Sequence, residues 1–150
     1  MPDERTHQFT TTSGHDTIEV GRRLVELLAP PQLIVLTGDL GTGKTTLVKG
    51  IAEALDAAEA EEVTSPTFPL LHEYDGVRLG EPVKLFHLDV YRLEGERQIE
   101  TLGLDDLCTD DALVLIEWGE KFRSIQKRAN AEIHIRSLGG DAREIRVVLK

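Results

Sequence analysis

The sequence predicts a mixed α/β fold, a sheet of buried parallel strands and antiparallel hairpins with flanking helices. Three observations predict it. Leu33-Ile34-Val35-Leu36 and Ala112-Leu113-Val114-Leu115-Ile116 are short, almost wholly apolar runs, as expected of strands covered on both faces. Two other stretches, one through Val20, Leu24, Leu27 and Leu28 and one through Leu47, Val48, Ile51, Ala52 and Leu55, repeat apolar residues at helical spacing. Near the C-terminus, Ile133/Ile135 and Ile145/Val147/Leu149 alternate with polar residues, which predicts a hairpin with one wet face.

Taken in order, residues 1–10 read as a loose N-terminal extension of a single domain spanning 1–150. Ser13-x-x-Asp16 resembles a capping box that opens the first helix, and Pro30-Pro31 stops it. The apolar run 33–36 follows, then a glycine-rich segment, then the second helix. Acidic residues thicken at Glu53, Asp56, Glu59, Glu61 and Glu62, which predicts a solvated helix face running into a loop. Val63-Thr64-Ser65-Pro66-Thr67-Phe68-Pro69 is a polar loop with two prolines. Leu70 to Tyr74 and Val83 to Leu88 read as strands of a hairpin around Asp75-Gly76. A short helix is expected near Gln98 to Leu102. The buried strand at 112–116 ends abruptly in Glu117-Trp118-Gly119, and the last hairpin turns at Gly139-Gly140-Asp141.

The bulk composition narrows the class. A chain of 150 residues, 40% hydrophobic and 29% charged, has the makeup of a globular protein large enough for a core. No apolar run approaches the roughly 20 residues that span a bilayer, and Met1-Pro2-Asp3-Glu4-Arg5-Thr6 lacks the basic-then-apolar order of a signal peptide. Cys108 is the only cysteine, so no intrachain disulfide can form; a packing role in a reducing, cytoplasmic setting is the expectation. The formal net charge of −10 makes the chain a poor autonomous nucleic-acid binder, because phosphate backbones are bound through lysine and arginine. Any nucleic-acid role is expected to run through a partner.

Chemistry concentrates in the glycine-rich segment. Gly38-Asp39-Leu40-Gly41-Thr42-Gly43-Lys44-Thr45 fits G-x-x-x-x-G-K-[ST] throughout, with a predicted strand before it and a helix after it, the context a P-loop requires. Gly41 and Gly43 let the backbone turn with no Cβ in the way, so that successive N–H groups face phosphate oxygens, and the helix N-terminus adds its positive end. Lys44 is expected to reach the β- and γ-phosphates and the Thr45 hydroxyl to ligate Mg²⁺. Asp39, a carboxylate within that loop, is expected to point away or to cap the loop backbone.

A second acidic group is needed near the metal, at the end of a neighbouring buried strand. Glu117 is the candidate, with four apolar residues directly before it. Asp89 ends another candidate strand in His87-Leu88-Asp89-Val90-Tyr91-Arg92. It could orient a hydrolytic water, bind Mg²⁺ through water, or pair with Arg92. Trp118 could stack on a ligand or belong to the core. The five histidines show no metal-ligand spacing, and packing or surface roles suffice for His72 and His87.

Taken together, Gly38 to Thr46, Thr64-Ser65-Pro66-Thr67-Phe68, His87 to Leu93 and Ile116-Glu117-Trp118 resemble the TsaE family in order and spacing, from about Thr11 to Leu149. The resemblance implies a P-loop α/β domain that hydrolyses ATP slowly in bacterial tRNA threonylcarbamoyladenosine synthesis. It implies TsaB and TsaD as partners, which modify adenosine 37 of tRNAs reading codons that begin with A, with tRNA met only through them. Carried over by motif, Gly38, Gly41, Thr42, Gly43, Lys44, Thr45 and Thr46 would bind ATP, and Thr45 and Glu117 would hold Mg²⁺. Asp89 would be the catalytic carboxylate near the γ-phosphate, Thr67 would lie on a switch-like loop sensing that phosphate, and Trp118 would lie close to the nucleotide. One departure is Pro69, where members often carry threonine.

Three other readings of the loop remain. A small-molecule or nucleotide kinase needs an arginine-bearing lid, and Arg123, Lys127 and Arg128 are the only late basic cluster. A GTPase usually selects guanine with a lysine followed two residues later by aspartate, and no lysine here has that neighbour. A scaffold would use ATP only to lock a shape. With no obvious arginine finger in the chain, an ATPase of this kind is expected to turn over weakly alone and faster when its partner docks.

Overall fold

The computed structural model describes residues 5–39, 41–64 and 71–150. They form one seven-stranded sheet in the order β1-β7-β6-β2-β5-β4-β3. At its centre lie β2 (Gln32–Thr37), β5 (Ala112–Glu117) and β4 (Glu81–Asp89), all parallel, and β6 (Ala131–Gly139) runs parallel to β2 on the other side. Two antiparallel hairpins finish the sheet. β3 (Leu71–Arg78) pairs with β4, and β7 (Ala142–Leu149) pairs with both β6 and β1 (Thr6–Thr11). The mixed α/β architecture expected from the apolar runs is the one found.

Both faces of the central strands are covered, which is why their sequences are apolar without alternation. Ile34, Leu36, Leu85, Leu113 and Leu115 pack under α1 (Gly14–Leu24) and α2 (Lys44–Ala54). Leu33, Val35, Phe86, Leu88, Val114 and Ile116 form a second core on the opposite face. That core is closed by α3 (Glu96–Glu100), α4 (Leu104–Leu107) and α5 (Arg123–Arg128) through Ile99, Leu104 and Ile125. Among the described residues, no helix is long and apolar enough to cross a membrane.

The first helix starts where its cap predicts. Ser13 Oγ accepts the Asp16 N–H at 3.1 Å, while the Asp16 carboxylate accepts from Thr12 N–H at 3.1 Å and Thr12 Oγ at 2.8 Å. The return half of the box therefore reaches the residue before the cap. α1 and α2 lie unusually close because each presents a glycine to the other. A Cβ on Gly21 would sit 2.3 Å from the Leu47 carbonyl oxygen, and one on Gly50 only 1.9 Å from that of Ile18.

Several expectations are corrected. Residues 6–10 are not a loose extension: with Thr11 they make the edge strand β1. Its one large apolar residue, Phe9, packs against the first core beneath the Arg23 guanidinium, a contact that six mostly polar residues do not advertise. The hairpin of β3 and β4 turns at Leu79-Gly80, both with positive φ, and not at Asp75-Gly76. Gly76 is instead a mid-strand glycine opposite Val83. It is there for a close approach, since its Cβ would lie 2.5 Å from the Leu55 carbonyl oxygen, which accepts the Val77 N–H. The helix expected near 98–102 begins at Glu96, and α4 and α5 have too few turns to leave a periodic signal. Cys108 is exposed, because it follows a four-residue helix that buries only Leu104. The loop at 65–69 and its Thr67 lie outside the described residues.

The helix crossing yields a test. Gly50→Ala forces α1 and α2 apart, because the obstructing atom is a backbone oxygen and cannot swing aside. A loss of about 1–3 kcal/mol is expected in urea unfolding. Gly14→Ala, at the first position of α1 where a Cβ meets nothing within 4 Å, serves as the control.

Candidate functional site

Parallel strands bring their C-terminal ends to one edge of a sheet, and ligands bind at that edge. Here β2 ends at Thr37 and leads into the glycine loop, β4 ends at Asp89, and β5 ends at Glu117. Asp89 and Glu117 are direct register partners. Both follow residues that face α2, Leu85 and His87 on one strand, Leu113 and Leu115 on the other, so both carboxylates emerge on the side of the sheet where α2 begins.

The loop has the strain that its glycines permit. Gly41 (φ 81°) and Gly43 (φ 103°) are left-handed, and Gly43 is the N-cap of α2. A Cβ on Gly38 would meet Ile135 and the Thr42 hydroxyl at 2.7 Å. The Asp39 carbonyl closes the turn by accepting from Thr42 N–H (3.2 Å) and Thr42 Oγ (2.8 Å), while the Asp39 side chain is exposed. Of the two expectations for Asp39, the exposed side chain fits pointing away, and the turn is closed by its carbonyl and not by its carboxylate.

From the far end of the sequence, Arg143 on β7 clamps the same loop. Its Nε donates to the Thr42 carbonyl at 2.7 Å, its Nη2 to the Gly41 carbonyl at 3.3 Å, and its Nη1 to the Gly140 carbonyl at 2.7 Å. In a trans peptide the carbonyl and the following N–H point in opposite directions. Holding the Thr42 carbonyl on the guanidinium therefore turns the Gly43 N–H away from it.

A cleft of about 310 Å³ is lined by Gly41, Gly43, Lys44, Thr45, Thr46, Asp89, Glu117 and Trp118. Three separate segments singled out in the sequence thus meet in one place. Gly38 and Thr42 shape the loop behind the cleft and line the hollow beside β6. Thr67 lies outside the described residues.

Lys44 is only 5% exposed. Its Nζ donates to the Gly38 carbonyl and lies 3.8 Å from the Trp118 ring centroid, a cation–π contact. Burial pushes its pKa below that of an ordinary lysine, against the opposing pull of Glu117, Glu120, Asp89 and Asp39. Glu117 is 2% exposed, with its Oε2 2.6 Å from His87 Nε2. Asp89 Oδ1 accepts the Tyr91 N–H at 2.9 Å, which holds the carboxylate at the strand end. Trp118 has a left-handed backbone (φ 66°), uncommon for a bulky residue, and its ring also meets Tyr91 at 4.9 Å. It is half-buried, packing against the second core and lining the cleft.

Sequence reasoning missed three residues. His87 is fully buried against Glu117, and the signal for it was its position two residues before Asp89, hence on the same strand face. Glu120 is half-buried, and burial raises its pKa. Arg143 acts across about a hundred residues of chain, and no local pattern marks it.

Among the described residues, no group of three or more His, Cys, Asp or Glu side chains is arranged to hold a metal by itself. Thr45 and Glu117, lining one cleft, offer two oxygen ligands. That donor set fits Mg²⁺, which is usually held by one or two protein groups and completed by water and substrate phosphates.

Comparison with known proteins follows the same outline. Residues 11–145 match the family model for the threonylcarbamoyl adenosine biosynthesis protein TsaE. The chain is 36% identical to the tRNA threonylcarbamoyladenosine biosynthesis protein TsaE of Bacillus subtilis over 139 residues, covering 92% of this chain and 82% of that one. It is 37% identical to the protein of the same name from Treponema pallidum, covering 90% and 95% of the two chains. The crystal structure of Bacillus subtilis YdiB superposes with a TM-score of 0.72 at 28% identity over 100% of this chain and 90% of that one.

The Arg143 clamp is open to test. Arg143→Met keeps the apolar stem and removes the donors to Gly41 and Thr42. Hydrogen bonds from a charged group are worth about 1.5–3 kcal/mol, so ATP affinity, read by calorimetry, is expected to fall about tenfold or more. An unchanged affinity would show that the loop holds its shape without the guanidinium.

Proposed function

The chain belongs to the TsaE family, and we propose that within it this protein is a Mg²⁺-dependent ATPase required for tRNA threonylcarbamoyladenosine formation. The observation that carries the proposal is the cleft in which Lys44, Thr45, Asp89 and Glu117 converge on a glycine loop at the head of α2. That convergence supports a nucleoside triphosphate whose phosphates lie on the loop N–H groups and the helix N-terminus.

Phosphoryl transfer to water asks little covalent chemistry of a protein; catalysis is mainly positioning and electrostatics. Lys44 exchanges its Gly38 carbonyl for phosphate oxygens, and the Trp118 face keeps the ammonium at the cleft wall. The Thr45 hydroxyl and the Glu117 carboxylate would hold Mg²⁺, which when bound neutralises charge on the phosphates. Asp89, anchored by the Tyr91 N–H, orients the attacking water as the catalytic carboxylate. Gly38 and Thr42 maintain the loop, Thr46 lines the phosphate end, and Thr67 is assigned to a loop that senses the γ-phosphate.

The partners in this reading are TsaD and TsaB, which act on adenosine 37 of tRNAs reading codons that begin with A. A net charge of −10 supports contact with tRNA through those partners and not directly. The kinase alternative gains no support from the late basic cluster. Arg128 is paired with Asp105, and α5 packs against the second core, on the sheet face away from α2.

Asp89→Ala and Glu117→Ala are each expected to lower ATP turnover by about a hundredfold or more, with ATP binding retained at least in Asp89→Ala. Turnover of the isolated wild type should be weak and should rise on adding TsaB and TsaD. Persistent hydrolysis in both variants would refute the site assignment, and equal rates with and without partners would refute the gating.

A further inference from the structure

Behind the cleft lies a buried ionisable pair that a packing argument does not explain. His87 is 0% exposed and Glu117 is 2% exposed, and they meet at 2.6 Å in a layer otherwise built from Leu85, Leu113 and Leu115. A leucine at either position would fill the space without the cost of burying polar groups. The pairing geometry defines the imidazole. Nε2 faces the carboxylate, and Nδ1 is buried with no hydrogen-bond partner among the described residues. An unpaired buried donor would be left if Nδ1 carried a proton, so the Nε2–H form is the one that fits. The ring is held edge-on by His72 on β3, its register partner, with centroids 6.4 Å apart and an interplanar angle of 79°.

We propose that His87 is a positioning residue for the divalent-cation site: its Nε2–H fixes the Glu117 carboxylate in the orientation that receives the metal. A ligating carboxylate with its own hydrogen-bond donor behind it enters coordination already ordered, and removing such a donor commonly costs about 10–100-fold in metal affinity. His87 need not touch nucleotide or metal for this. The inference rests on the Mg²⁺–ATP reading of the cleft.

The test is a Mg²⁺ titration of ATP binding, followed by fluorescence of a labelled ATP, alongside melting temperature. His87→Leu should raise the half-saturating Mg²⁺ concentration about 10–100-fold and leave ATP affinity in EDTA unchanged. His87→Gln, whose amide nitrogen reaches the place of Nε2, should restore it to within about threefold, whereas His87→Asn, whose nitrogen stops short, should not. The Gln and Asn pair carries the test if the leucine variant does not fold. An unshifted Mg²⁺ requirement in His87→Leu, or equal shifts in Gln and Asn, overturns the proposal. A wild type whose ATP binding ignores Mg²⁺ overturns the metal reading along with it.

Discussion

Everything at the cleft depends on the register between two parallel strands. β4 and β5 run side by side so that Asp89 stands opposite Glu117, and both strands end at the level where the glycine loop leaves β2. A slip of β4 by one residue would turn Asp89 to the opposite sheet face and drive Leu88 toward α2, and the same slip of β5 would do so to Glu117 and Ile116. The register is held from both sides. Leu85, Leu113 and Leu115 belong to the core under α1 and α2, while Phe86, Leu88, Val114 and Ile116 belong to the other. The same apolar layers that stabilise the fold therefore set the distance between the two acids and the loop.

Around that frame the charges constrain one another. Lys44 is buried, and that burial lowers its pKa against the opposing pull of Glu117, Glu120, Asp89 and Asp39. Its Nζ lies over the Trp118 ring and donates to the Gly38 carbonyl. The positive φ at Trp118 follows directly on Glu117 and lets the chain leave β5 with the ring turned toward Lys44. Strain of this kind persists where surrounding contacts over-determine the backbone, and here Tyr91 and Lys44 both contact the Trp118 ring.

Local chemistry was legible and distant chemistry was not. The Ser13 cap, the central strands and the glycine loop all follow from patterns within a few residues, and each lies where its pattern predicts. Asp89 and Glu117 were readable because each ends a strand. The hairpin turn was misjudged because Asp75-Gly76 has turn chemistry while Gly76 answers to the Leu55 backbone, which belongs to another element. β1 was missed because one phenylalanine among polar residues gives no alternation, and its partner strand is at the other end of the chain. Arg143 shares that property, since its contact with the loop exists only once β7 meets it, whereas the contact of His87 with Glu117 forms where β4 meets β5 and has only its spacing from Asp89 as a local sign.

The central claim is that one cleft holds triphosphate and cation between the loop at Gly38 to Thr45 and the strand-end acids. A crystal structure with a non-hydrolysable ATP analogue and Mg²⁺ tests it most directly. The account predicts phosphates on the loop amides and Lys44, with the cation on the Thr45 hydroxyl and the Glu117 carboxylate. A cation bound by neither residue, or a nucleotide seated elsewhere, would contradict it.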